Sequence, residues 1–170
     1  GGYAILKNKK IILAMDIGSN PSKNLSRNYQ AGALSFEIFS NEKKLLSNSG
    51  YFPDNRNKLN KLPKSSALQN TLIIEDYSSC NFIKKNSHFV VDNGLKVLKK
   101  NIVFETNYWK ISAVHDGYLK KFGLNHEREI EFYPEQSKFI GYDKILRKKP
   151  NKEIKFDIRF HLNPNSKVMK

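Results

Sequence analysis

Asn28-Tyr29-Gln30-Ala31-Gly32-Ala33-Leu34-Ser35-Phe36-Glu37 is the stretch on which the reading of the fold turns. It sets two neutral amides around a tyrosine, passes through small residues and enters a run, Ala33 to Phe39, that reads as a strand. Upstream, Asp16 to Arg27 holds Gly18, Pro21 and several Ser and Asn residues, the chemistry of an irregular segment.

Outward from this stretch, apolar residues alternate with polar ones at a period of two along the whole chain. Ile154, Phe156, Ile158, Phe160 and Leu162 alternate with Lys155, Asp157, Arg159 and His161, which predicts one long amphipathic strand. Ile130 and Phe132 alternate with Glu129, Glu131 and Tyr133. Pro134-Glu135-Gln136-Ser137 then supplies a turn, and Lys138 to Tyr142 returns, giving a hairpin. Further short runs lie at Lys10 to Asp16, Lys43 to Leu46, Thr71 to Glu75, His88 to Val91, Ile102 to Glu105 and Tyr108 to Val114. No ten-residue stretch of helical period separates them, so an antiparallel sandwich or barrel is expected rather than βαβ units. Ser47 to Ser66, crowded with Asn48, Asn55, Asn57, Asn60, Gly50, Pro53 and Pro63, is expected to be a long surface loop. With 170 residues, no internal repeat and no dividing linker, one domain is expected.

Composition narrows the class. Hydrophobic residues at 39% and aromatics at 12% are too many for a disordered tail. Apolar runs such as Ile11 to Met15 are too short to span a bilayer as a helix. The net charge of +14 suits a polyanion partner, yet only Arg27, Arg56, Arg128, Arg147 and Arg159 are arginines among 30 basic residues. A solvated lysine surface is the plainer reading, and the runs Lys7-Asn8-Lys9-Lys10, Lys99-Lys100 and Arg147-Lys148-Lys149 beside Pro150 suit exposed loop ends. Aromatics mostly occupy alternating core positions instead of interleaving with basic residues on one face, so no nucleic-acid partner is expected. The opening residues Gly1 to Leu6 read as the middle of a longer protein, which leaves export open. Cys80 stands alone and reads as a small buried residue rather than a reactive thiol.

The usual handles of large enzyme classes are missing from the sequence: no Gly-rich phosphate loop, no metal-spaced Cys or His pair, no Gly-x-Ser-x-Gly elbow. Of the histidines His88, His115, His126 and His161, two stand in clusters, His115-Asp116-Gly117-Tyr118 and His126-Glu127-Arg128. An imidazole beside a carboxylate can move protons, but it is also an ordinary hydrogen-bonded pair at a strand end, and the structural reading is preferred. His161 is expected to face solvent or the far side of its sheet.

Several blocks, in order, resemble the C-terminal domain of the heparinase II/III-like family. They are Gly2-Tyr3, Asp16-Ile17-Gly18, Ala31 to Glu37, Ser47-Asn48-Ser49-Gly50, Ser65 to Leu72, His115 to Tyr118, His126 to Arg128 and Arg159 to Pro164. The resemblance implies an all-β fold, an antiparallel two-sheet sandwich over residues 1–170. It also implies an α/α toroid upstream as a partner domain, further strands beyond Pro164 that would leave this sandwich short of part of one sheet, and a place in the cell envelope or periplasm. It implies β-elimination on an acidic, glycosaminoglycan-like polysaccharide. In that reaction a base removes the proton beside a uronate carboxylate, polar groups stabilise the enolate, and an acid protonates the departing glycosidic oxygen.

By the same resemblance the family's sandwich histidine falls on Asn28, and its zinc ligands fall on Gln30, Asn48 and Gln69. Amides are poor zinc ligands beside imidazole, carboxylate or thiolate, so neither a family-type zinc nor another cofactor is expected. These amides could join into a hydrogen-bonded network in place of the metal, or simply be polar loop residues. Asn28 cannot shuttle a proton at neutral pH, although an amide can still polarise a uronate carboxylate. Asn28, Tyr29, Gln30, Gln69, His115, Tyr118 and Arg128 are the candidate glycan-facing residues, and no catalytic residue is assigned. Two readings of function stand: the sandwich part of a polysaccharide lyase, inactive by itself, or a glycan-binding or structural module that kept the fold without the metal.

Overall fold

The computed structural model describes residues 2–50, 58–86, 88–147 and 153–166. One antiparallel sheet is formed by β1 (Tyr3–Lys7), β2 (Ile11–Asp16), β3 (Phe36–Ser40) and β4 (Lys43–Leu46), in that spatial order. A ribbon of β6 (Asn81–Lys85) and β7 (His88–Asn93) and a short pair of β5 (Leu72–Ile74) with β12 (Phe156–Ile158) flank it. The second large sheet runs β11 (Lys138–Arg147), β10 (Leu124–Tyr133), β9 (Trp109–His115), β8 (Val97–Phe104). A single helical turn, α1 (Leu119–Phe122), joins β9 to β10 and ends at Gly123 in the left-handed conformation.

Alternation dictates which faces meet. Ala4 and Leu6 of β1 and Leu13 and Met15 of β2 point one way and are buried. They share a core with Ile111 and Ala113 of β9 and Ile130 and Phe132 of β10, so the two sheets pack face to face as a β-sandwich. Aromatic rings close one end: Phe104 stacks on Trp109 at 4.8 Å and Phe139 on Phe132 at 4.3 Å. Smaller cores lie under the ribbon, around Ala31, Ala33, Cys80 and Val91, and beneath α1, around Leu72, Ile74, Tyr118 and Leu124. Cys80 is buried, as its solitary position suggests.

The hairpin from Leu124 to Arg147 forms as read, though longer. The strand expected from Ile154 to Leu162 does not. Only Phe156–Ile158 pair with β5, and Phe156 and Phe160 stay 52% and 55% exposed. Beyond Ile158 the backbone leaves the ladder. Arg159 N–H donates to Thr71 O, His161 N–H to Asn70 Oδ1, and Ser47 N–H to His161 O, so this segment fastens β5 to β4 instead of covering a core. His161 is half-buried, its Nε2 enclosed without a hydrogen-bond partner among the described residues.

The expected surface loop is also corrected in part. Its later portion forms 3-10 turns at Lys58–Lys64 and Ser66–Leu68, and Pro63, Lys64 and Ser66 are buried. Polar residues there hold interior carbonyls, which composition cannot distinguish from solvation. Residues 51–57, including Pro53, Asn55 and Asn57, and the basic residues 148–149 with Pro150 lie outside the described residues. Two strands, β1 and β6, were not anticipated, and the run from Ala33 begins as a strand only at Phe36 because Leu34 turns the chain with φ of 56°.

Candidate functional site

Residues 27–36 pass from an exposed start at Arg27 and Asn28 into the interior at Ala31 without a continuous strand partner, so the enclosed carbonyls need donors from elsewhere. Side chains supply them. Lys64 Nζ donates to Arg27 O at 2.7 Å and Tyr29 O at 2.9 Å, Ser66 Oγ to Ala31 O at 2.6 Å, and Thr71 Oγ1 to Ala33 O at 2.8 Å. Arg128 Nη1 donates to Leu34 O at 3.0 Å and Asn70 Nδ2 to Phe36 O at 2.9 Å. A leucine in the left-handed region is sterically costly, and this set of bonds holds Leu34 there. Among the described residues Lys64 has no carboxylate partner; Phe82 covers its ammonium at 4.8 Å, and burial pushes its pKa down.

The segment so held forms one wall of a cavity of about 140 Å³. Gln30 and Gln69 face each other across it: Gln69 Nε2 donates to Gln30 Oε1 at 3.3 Å and to Pro63 O at 3.0 Å, while Gln30 Nε2 donates to Gly50 O at 2.6 Å. Asn48, also lining it, accepts Asn70 N–H on Oδ1 at 2.8 Å and donates to Ser35 Oγ at 3.2 Å. Asn28 is exposed at the edge. Asp16, at the end of β2, accepts Gly18 N–H at 2.9 Å, and burial raises its pKa to about 6. The Tyr29 hydroxyl is buried without a hydrogen-bond partner among the described residues, and burial pushes its pKa up.

At the positions where the resemblance places zinc ligands, Gln30 and Gln69 bond to each other, while Asn48 bonds to Ser35 and to the Asn70 backbone. Their oxygens are engaged, Gln30 Oε1 by Gln69 and Asn48 Oδ1 by Asn70, and no group of three His, Cys, Asp or Glu side chains suited to a metal occurs among the described residues. This donor set does not fit zinc.

His115, Tyr118 and Arg128 lie elsewhere, and the structure corrects their expected exposure. They are 0%, 1% and 1% exposed, inside the second sheet and beneath it. Gly117 N–H donates to His115 Nδ1 at 3.0 Å, so neutral His115 carries its proton on Nε2. That proton points to His126 Nδ1 at 3.1 Å, which places the His126 proton on Nε2, directed at Asp143 Oδ1 2.6 Å away. Arg128 grips the same carboxylate through Nε at 2.8 Å and Nη2 at 2.9 Å, and Nη1 reaches Asn70 O at 2.6 Å as well as Leu34 O. Burial drives both imidazole pKa values down, that of His115 furthest. Burial alone would raise Asp143, but hydrogen bonds from His126 and Arg128 outweigh it and hold the carboxyl below its usual range. Tyr118 donates to Leu72 O at 2.9 Å. Asp116 does not pair with His115; it accepts Lys96 N–H.

Lys64 and Asp143 escaped the sequence reading, and Asp16 and Asn70 entered it only within the family-like blocks, without a role in the site. Asp143 had a signal: counting back five residues along both strands from the Tyr133–Lys138 pair at the hairpin turn reaches Arg128 and Asp143. Lys64 and Asn70 had none, because their acceptors lie on a distant, irregular stretch.

The fold has known counterparts. A solved structure of heparinase III with methylated lysines superposes with a TM-score of 0.61 at 14% identity, over 85% of this chain and 20% of that one. A crystal structure of heparinase III gives a TM-score of 0.59 at 21% identity, over 87% of this chain and 22% of that one. The chain thus spans about a fifth of these proteins. No curated protein sequence matches it. The profile of the family "Heparinase II/III-like, C-terminal" matches residues 1–170, and the chain, with its two-sheet sandwich, belongs to that family.

Proposed function

We propose that the chain is the sandwich part of a polysaccharide-lyase-like protein that cleaves uronate-containing glycans by β-elimination at the cell envelope. On this reading the Asn28–Gln30 cavity holds and orients the glycan, while proton abstraction and donation belong to a toroid domain joined to this one. The observation that carries it is the cavity itself. Asn28, Gln30, Asn48 and Gln69, the positions the resemblance matches to the family's site, line it together with Asp16, and the backbone around Asn28 and Gln30 is fixed from behind by Lys64, Ser66 and Thr71. Asn28 has no proton to exchange near neutral pH, so its part is polar contact. Full-length protein incubated with a panel of uronate polymers should generate the ultraviolet absorbance of an unsaturated sugar. Absence of that absorbance on every polymer, with glycan binding retained, selects the second reading.

That second reading, a non-catalytic glycan-binding or structural module, is favoured by one specific observation. The positions matched to zinc ligands are not merely polar: Gln30 and Gln69 bond to each other and to backbone carbonyls, and Asn48 bonds to the Asn70 backbone and to Ser35. Such a network maintains the site's shape without a metal.

A further inference from the structure

With 30 Lys and Arg against 16 Asp and Glu, a surface cavity on this chain should meet a cation by default. The Asn28–Gln30 cavity does not: among the described residues no Lys, Arg or His lines it, and its carboxyl is Asp16, beside Tyr3 and Tyr29. Asp16 receives one hydrogen bond, from Gly18 N–H, and no side chain of the described residues donates to it. A uronate or sulfate placed here would lie against a carboxylate with no cation among the described lining residues to offset the repulsion. An uncharged sugar meets the opposite situation. Its hydroxyls can donate to Asp16, the Asn28 amide can both donate and accept, and the buried Tyr29 hydroxyl lacks a partner among the described residues. Tyr3, 66% exposed, offers an aromatic surface to the apolar face of a pyranose.

We propose that this cavity is a subsite for a neutral pyranose unit of the glycan, bound through Asp16, Asn28 and Tyr3, and that the acidic units of the same polymer are held elsewhere. The inference rests on the glycan reading above and names which sugar the sandwich selects.

The test is a titration of the 15N-labelled chain at neutral pH with N,N′-diacetylchitobiose and, separately, with digalacturonate, following the side-chain amide signals of Asn28, Gln30 and Gln69. The neutral disaccharide should move these signals at concentrations at least about tenfold lower than the acidic one. Asp16→Asn should weaken the neutral sugar several-fold and strengthen the acidic one. Tyr3→Ala, at an exposed position, should weaken the neutral sugar with the rest of the spectrum unchanged. Equal or tighter binding of digalacturonate at these signals, or a preference that Asp16→Asn leaves unaltered, overturns the inference and leaves the glycan reading standing. If neither sugar moves the signals, the glycan role of the cavity falls along with it.

Discussion

Lys64 Nζ donates to the carbonyl of Tyr29 at 2.9 Å, tying a buried ammonium to the segment that walls the cavity. The same nitrogen holds Arg27 O at 2.7 Å, so Asn28 is bracketed by two fixed carbonyls. Lys64→Met keeps the bulk of the stem and removes the donor, leaving enclosed carbonyls unpaired. The expected loss is about 1–3 kcal/mol in urea unfolding, with faster hydrogen exchange at Ala31, whose N–H bonds Lys64 O. A midpoint unchanged from that of the parent chain would mean water satisfies those carbonyls.

Arg128 and Asp143 form the most enclosed ion pair described here, with side chains 2% and 8% exposed. Arg128→Met leaves Asp143 with His126 as its remaining side-chain donor and frees Leu34 O and Asn70 O, and should cost about 3–5 kcal/mol. The double change R128M/D143L removes both charges and should recover part of that loss. A double variant no more stable than R128M would show that the guanidinium matters for its carbonyl contacts rather than for the carboxylate.

Stability should fall on mild acidification. His115 and His126 have folded pKa values below 6.5, so below that pH the unfolded chain binds protons that the folded chain refuses. Each histidine then removes up to about 1.4 kcal/mol per pH unit until its folded pKa is reached. Asp16 works in the opposite direction: with a folded pKa of about 6 against 3.8, its contribution is lost as pH rises through that window. Asp16→Asn should therefore stabilise the chain at pH 7 by on the order of 1 kcal/mol and steepen the loss below pH 6.5. Unfolding midpoints between pH 4.5 and 7 provide the check, and a flat profile in both proteins would contradict the buried neutral imidazoles.

Zinc should be recoverable. Gln30 and Gln69 already touch at 3.3 Å and Asn48 lines the same cavity, so the combination Q30H/N48D/Q69H presents two imidazoles and a carboxylate. The triple variant should bind about one zinc per chain by elemental analysis after dialysis, and the parent none. Stoichiometric zinc in the parent would disprove the account of these amides.

The fold was legible where burial repeats at a fixed period. β10 alternates buried and half-buried residues over its whole length, and the Pro134–Ser137 turn pins its register to β11. The same pattern misled at Ile154 to Leu162, because period two reports a possible face and not whether another layer covers it. The site divided likewise. Gln30 and Gln69 were legible by resemblance and meet in the cavity, whereas His115, Tyr118 and Arg128 were chemically suggestive and prove to be interior.

What the sequence determined by itself was strand propensity, hairpin register, the family through its ordered blocks, and, by that resemblance, the amides at Asn28, Gln30, Asn48 and Gln69 in place of ionisable groups. What only the tertiary structure decided was which polar groups meet. Lys64 reaches Tyr29 O across 35 positions and Arg128 reaches Leu34 O across 94. No periodicity records such pairs, since a carbonyl is the same acceptor in every residue and only the folded path of the chain brings one to its donor.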